Sequence, residues 1–105
     1  MKAVVYTEYG SPDVLQLKEV AKPTPADNQV LIKLHAVSVN RSDWEGLTGK
    51  PLYARIGGLI KPNNRILGSD IAGIVEAVGK DVKQFKPDDK VFGLMLNYGD
   101  GFAEY

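Results

Sequence analysis

The chain has 105 residues, enough for one hydrophobic core and too few for a catalytic domain beside a separate cofactor-binding domain. With 44% hydrophobic and 25% charged residues it has the composition of a folding chain, not a disordered one. Lys and Arg balance Asp and Glu at 13 each, so no net field draws in nucleic acid or an anionic membrane surface. The absence of cysteine removes disulfides, thiolate metal ligands and cysteine nucleophiles, and fits a reducing compartment, with the cytoplasm as the default. No apolar run reaches the roughly 20 residues of a membrane helix, and "MKAVVYTEYG" breaks off too early for a signal peptide.

Residues 2–7, "KAVVYT", read as a first strand closed by turn residues Gly10, Ser11 and Pro12. "VLQLKEV" alternates as a second, half-buried strand, and "AKPTPADN" is an extended connector because Pro23 and Pro25 lack ladder donors. "QVLIKLHAVSVN" is a long strand expected at the centre of its sheet, with Val30, Ile32, Leu34 and Ala36 on one face and Lys33 and His35 on the other. At Asn40 the period changes. Ser42 is the predicted N-cap of a short helix over 43–49, which Gly46 weakens and Gly49 ends. Residues 50–65 read as a long loop with at most one helical turn, the kind of connection that often walls a site. "IAGIVEAVG" reads as a buried strand, followed by the turn "GKDVKQFKPDD", a strand "KVFGLML", the turn "NYGDG" and the start of a strand at "FAEY". Short strands, frequent turns and little helix predict a mainly β protein, an antiparallel barrel or sandwich.

Phosphate motifs fail on spacing. A Walker loop needs four residues between its glycines and then Lys-Ser or Lys-Thr, whereas five residues separate Gly73 from Gly79 and Asp81 follows Lys80. In "GDGFAE" Glu104 stands where a dinucleotide fingerprint needs its third glycine. One histidine, His35, and no cysteine make a poor zinc donor set, and no metal site is expected. No G-x-S-x-G elbow supports a serine nucleophile.

One cluster stands out. Asn40, Ser42, Asp43 and Trp44 bring an amide, a hydroxyl, a carboxylate and an aromatic ring to a strand-to-helix junction. Two readings remain open: a functional cluster, or plain helix capping by Asn and Ser, Asp in the first turn and a packing Trp. Ser69 and Asp70 have the same two readings, since such a pair often only holds a turn.

The order of segments then matters. "MKAVVYTEYG", "KPTPADNQVLIKLHAVSVNRSDW", "ILGSDIAGIVEAVGKDV", "FKPDDKVFG" and "GFAEY" together resemble the N-terminal, GroES-like part of the medium-chain dehydrogenase/reductase superfamily, most similar to its zinc-independent quinone oxidoreductase-like branch. The resemblance implies a mainly β, partly open GroES-like barrel with one or two short helices over residues 1–105. In zinc-dependent relatives the position of Asn40 is a cysteine ligand, and those of Ser69 and Asp70 are a histidine ligand and a glutamate. All three are replaced here, so the resemblance implies no catalytic zinc.

The same resemblance implies catalytic roles for Asn40, Ser42 and Asp43, substrate contacts from Trp44 and Tyr53, and cofactor contacts from Asn40, Arg41 and Ser42. It implies NADPH or NADH, held mainly by a Rossmann domain that is not in these residues, a small-molecule substrate and a homo-oligomeric parent enzyme. The chain is therefore expected to be a truncated catalytic domain that does not turn over alone. Two other readings stand beside it. One is a non-catalytic GroES-like interaction domain that self-associates through "LYARIGGLI"; the other is a zinc-dependent alcohol dehydrogenase with atypical ligands.

Overall fold

The computed structural model describes residues 1–50, 65–95 and 100–105. Strands β1 (Lys2–Val5) and β2 (Gln16–Glu19) form an antiparallel ribbon. A single 3-10 turn, Pro12–Val14, sits between them and is capped by Ser11, whose Oγ accepts from the Asp13 amide. Strands β3 (Val30–Val37), β4 (Asp70–Val78) and β5 (Lys90–Leu94) form an antiparallel three-stranded sheet in that order. Helix α1 (Arg41–Thr48) follows β3 directly.

The C-terminal residues couple the two sheets. Val4 N donates to Phe102 O at 2.9 Å, Glu104 N to Lys2 O at 3.2 Å and Leu34 N to Glu104 O at 2.9 Å. One short segment thus bonds β1 on one side and β3 on the other, and gives an open, incompletely closed barrel. Tyr105 extends the tie: its hydroxyl donates to Glu76 at 3.1 Å, and the Lys22 ammonium lies 4.1 Å from its ring centroid while pairing with Glu76.

Burial explains which strand takes the centre. In β4, Ile71, Gly73 and Val75 turn inward, and Val75 is only 1% exposed. The other face is half-covered at Ala72 and Ile74 and opens at Glu76, so the strand alternates and is not buried throughout. Gly73 lies where β3 presses closest: a Cβ there would sit 2.2 Å from Lys33 O. At Gly79 a Cβ would meet Ala26 O at 2.1 Å, because the connector crosses there and Gln29 O accepts the Gly79 amide at 2.8 Å.

Three sequence expectations are corrected here. The centre of the three-stranded sheet is β4, not β3; β3 exposes Lys33, His35 and Ala36 and lies at the sheet edge, beside the C-terminal segment. β4 pairs along one edge with β3 and along the other with β5. β2 is exposed at all four positions, because it pairs with β1 alone. The helix N-cap is Asn40, not Ser42, so α1 starts two residues before the expected position.

The helix rests on a small core. Tyr6, Leu47 and Leu67 are buried together, with Tyr9, Val14, Leu15 and Phe102 packed against them. The Tyr6 hydroxyl donates to Gly46 O at 3.1 Å and so ties the helix to this core. Burial, with a smaller contribution from Tyr9, pushes the Tyr6 phenol up to about 12. Gly49 ends the helix in the left-handed region at φ 67°, as its sequence position predicts.

Candidate functional site

The strand-to-helix junction is built on Asn40. Its extended backbone, φ −138° and ψ −178°, turns the chain out of β3 and leaves its side chain over the first turn of α1. Oδ1 of Asn40 accepts from the Ser42 amide at 3.0 Å and from the Ser42 hydroxyl in a short contact. Nδ2 donates to Asp70 Oδ2 at 2.6 Å. A backbone N–H can only donate, so the Ser42 amide fixes which end of the Asn40 amide is oxygen.

Hydroxyl directions follow from the same logic. Ser42 gives its hydrogen to Asn40, so in the 3.1 Å contact between Ser42 Oγ and Ser69 Oγ the donor is Ser69. Ser38 Oγ donates to Asp70 Oδ2 at 3.3 Å. All three serine hydrogens at the junction are therefore engaged within it. The second Nδ2 hydrogen of Asn40 has no acceptor among the described residues, and Asn40 is partly exposed.

Asp43 behaves differently. It is 3% exposed, and its two oxygens accept from the Asn40 amide at 3.0 Å and from the Gly68 amide at 3.1 Å. With Asn40 it completes a capping box, and with Gly68 it ties the helix start to the segment that leads into β4. Ser69, also 3% exposed, is held on that segment, where its carbonyl accepts from the Met95 amide at 2.6 Å. The pair Ser69 and Asp70 is thus part of the junction, brought to Asn40 from a distant stretch of sequence. Sequence reasoning weighed the pair only as a turn or as replaced metal positions, and Ser38 carried no signal.

Trp44 is 56% exposed on the outer side of α1, and Arg41 projects to solvent with its Nε 3.2 Å from Glu45. Tyr53 and the apolar loop 52–60 lie outside the described residues. His35 is exposed on β3. Among the described residues no group of three His, Asp or Glu side chains converges on one point. No helix there is long and apolar enough to cross a membrane.

A groove along the described residues lies elsewhere. It encloses about 510 Å³ between the connector and the three-stranded sheet, lined among others by Val20, Pro23, Leu31, Ile71 and Tyr105, and includes none of the junction side chains. Its lining is mostly apolar, with Thr24, Gln29, Asp100 and Tyr105 as its polar side chains. Chemically, the junction offers one unspent amide hydrogen on the partly exposed Asn40, and the helix that it caps carries an exposed aromatic ring and an exposed guanidinium.

Known proteins share the sequence pattern and the fold of this chain. Residues 26–104 match the alcohol dehydrogenase GroES-like domain family. The chain is 44% identical over 110 aligned positions to the quinone oxidoreductase of Sus scrofa and 41% identical to that of Homo sapiens, covering 100% of this chain and 30% of each relative. Among solved structures, the quinone oxidoreductase from Coxiella burnetii superposes with a TM-score of 0.84 at 33% identity, over 99% of this chain and 33% of that one. The Escherichia coli quinone oxidoreductase complexed with NADPH superposes with a TM-score of 0.74 at 32% identity, over 88% of this chain and 26% of that one. The chain thus spans about a third or less of the length of these relatives. By sequence and by fold it belongs to the alcohol dehydrogenase GroES-like domain family, on its quinone oxidoreductase-like branch.

Proposed function

We propose that the chain is the catalytic-domain part of a zinc-independent, NAD(P)H-dependent oxidoreductase that reduces a quinone, an enone or another activated carbonyl. The observation that carries this reading is the Asn40 amide, held at both ends by Ser42 and Asp70 and partly exposed, with one Nδ2 hydrogen that has no acceptor among the described residues. A donor fixed before the reaction stabilises charge that develops on a carbonyl oxygen, the task a Lewis acid performs in metal-using relatives. The donor set supports the metal-free reading: the chain has no cysteine, and the amide of Asn40 already spends its oxygen on Ser42.

A nicotinamide cofactor fits the junction, because the amide donor suits a carbonyl or carboxamide oxygen and Arg41 presents an exposed cation to an anionic group. When bound, that cofactor supplies the hydride. The pyrophosphate would be held outside these residues, since neither glycine fingerprint is complete here. On this reading Asn40 touches the acceptor oxygen. Ser42 orients Asn40, Asp43 clamps the helix start, Trp44 walls the cleft, and solvent supplies the proton. Tyr53 remains a proposed wall residue.

The test is NADPH oxidation with a quinone by the full-length enzyme that carries this chain, compared with Asn40→Ala. A loss of about 10²-fold in kcat is expected for removal of one such donor. Unchanged turnover sinks the role given to Asn40. Metal analysis after dialysis tests the zinc-independent part, where a stoichiometric zinc content would overturn it.

A further inference from the structure

The Asn40 amide is held at both ends. Turning it over would set its Nδ2 against two donors, the amide and hydroxyl of Ser42, and its oxygen against the carboxylate of Asp70. Yet the two ends are not equivalent. The Ser42 side belongs to the helix cap and forms wherever Asn caps a helix, whereas the Asp70 side comes from the first residue of β4 and has no capping purpose. Without Asp70 the oxygen end would still be attached, but the NH₂ end would have no side-chain anchor. Asp70 also takes the Ser38 hydroxyl, which keeps that hydrogen from facing outward.

We propose that Asp70 is a positioning residue of the acceptor site: its carboxylate holds the Asn40 amide so that the remaining Nδ2 hydrogen is presented outward, and the junction thereby takes a ligand through an acceptor oxygen. The inference rests on the functional reading above, and deepens it. Three hydroxyl hydrogens and one amide hydrogen of the junction are spent on partners within it, which leaves the second Nδ2 hydrogen of Asn40 as the unspent donor of these groups, next to the exposed Asp70 carboxylate. A carbonyl oxygen matches that donor. Asp70 is exposed and uses its own backbone carbonyl for the Ser38 amide at 3.1 Å, a bond that substitution of its side chain leaves in place.

The experiment uses the full-length enzyme that carries this chain, with Asp70→Ala, Asn40→Ala, the double variant and Asp70→Asn. Asp70→Ala is expected to lower kcat for a quinone about tenfold with the KM for NADPH unchanged, as for loss of orientation of a transition-state contact. In the Asn40→Ala background the Asp70 substitution should add nothing, because it acts through that amide. Asp70→Asn keeps an acceptor oxygen at the same reach and should restore most of the rate. A readout independent of turnover is the Asn40 side-chain NH₂ signal in an ¹⁵N-asparagine-labelled sample: a downfield, slowly exchanging hydrogen that Asp70→Ala abolishes. The inference is overturned if Asp70→Ala leaves kcat or that signal unchanged, or if its effect persists in full beside Asn40→Ala. If Asn40→Ala is itself without effect, the functional reading fails and takes this one with it; if Asn40→Ala is damaging and Asp70→Ala is not, this one fails alone.

Discussion

Two aspartates flank the same asparagine and do opposite work. Asp43 is buried and spends both oxygens on backbone amides, one at each of two chain segments. Asp70 is exposed and spends one oxygen on two side chains, the Asn40 amide and the Ser38 hydroxyl. A carboxylate that satisfies buried N–H groups holds the fold, since its removal leaves those groups unpaired; one that meets exposed side chains leaves water as their alternative partner. The junction therefore has a buried, structural side and an exposed side, and the proposed contact with a ligand belongs to the second.

The comparison is broken most directly by Asp43→Ala. Two charge-assisted bonds vanish and two amides are stranded, so stability should fall by about 3 kcal/mol. In thermal unfolding this corresponds to a drop of about 15 °C in Tm. A loss below about 1 kcal/mol would mean that water reaches the Asn40 and Gly68 amides and that Asp43 is no clamp. Next comes its partner. Gly68 holds φ +100° and a Cβ there would lie 2.8 Å from Phe102 N, so Gly68→Ala should cost about 2 kcal/mol in denaturant unfolding.

Tyr6→Phe asks whether the buried side extends beneath the helix. Loss of the bond to Gly46 O should cost about 1 kcal/mol. The pH dependence has a definite sign. The folded Tyr6 pKa is about 12 and the ordinary value 10.0, so the native state keeps the proton longer. Its stabilising contribution is complete below pH 10.0 and is lost as pH rises toward about 12. Alkaline unfolding should be less steep in Tyr6→Phe over that window; identical profiles would remove the assignment.

The smallest stability effect belongs to Asp70→Ala. An exposed carboxylate with side-chain partners should change folding stability by no more than about 0.5 kcal/mol. Paired with the tenfold loss in turnover expected above, this separates orientation from folding. A stability loss equal to that of Asp43→Ala would erase the contrast between the two residues.

How much of this was legible differs by element. The presence of β1 and β4 as strands and the helix stop at Gly49 follow from local chemistry, whereas β4, read as buried, alternates once its outer face opens at Glu76. Of the cluster Asn40, Ser42, Asp43 and Trp44, the structure joins the first three by hydrogen bonds and leaves the Trp44 ring exposed. Which residue capped the helix was not legible: Asn40 and Ser42 are both good caps, and the choice fell to Asn40, whose amide also reaches Asp70. The central position of β4 was missed because a strand's neighbours are set by long-range pairing, not by its own length.

The sequence by itself determined which side chains these 105 residues can bring to a site: no cysteine, one histidine, and an asparagine, a serine and an aspartate where a strand gives way to a helix. It also determined the family, since the order of segments is a property of the chain. Only the tertiary structure decided that Ser69 and Asp70 return to Asn40, that Asp43 faces inward while Asp70 faces outward, and that every serine hydrogen at the junction is turned into it. The reason is physical: a residue's donors and acceptors are fixed by its type, but the direction in which each is spent depends on partners about 30 residues away in sequence, and those are set by the pairing of β3 with β4.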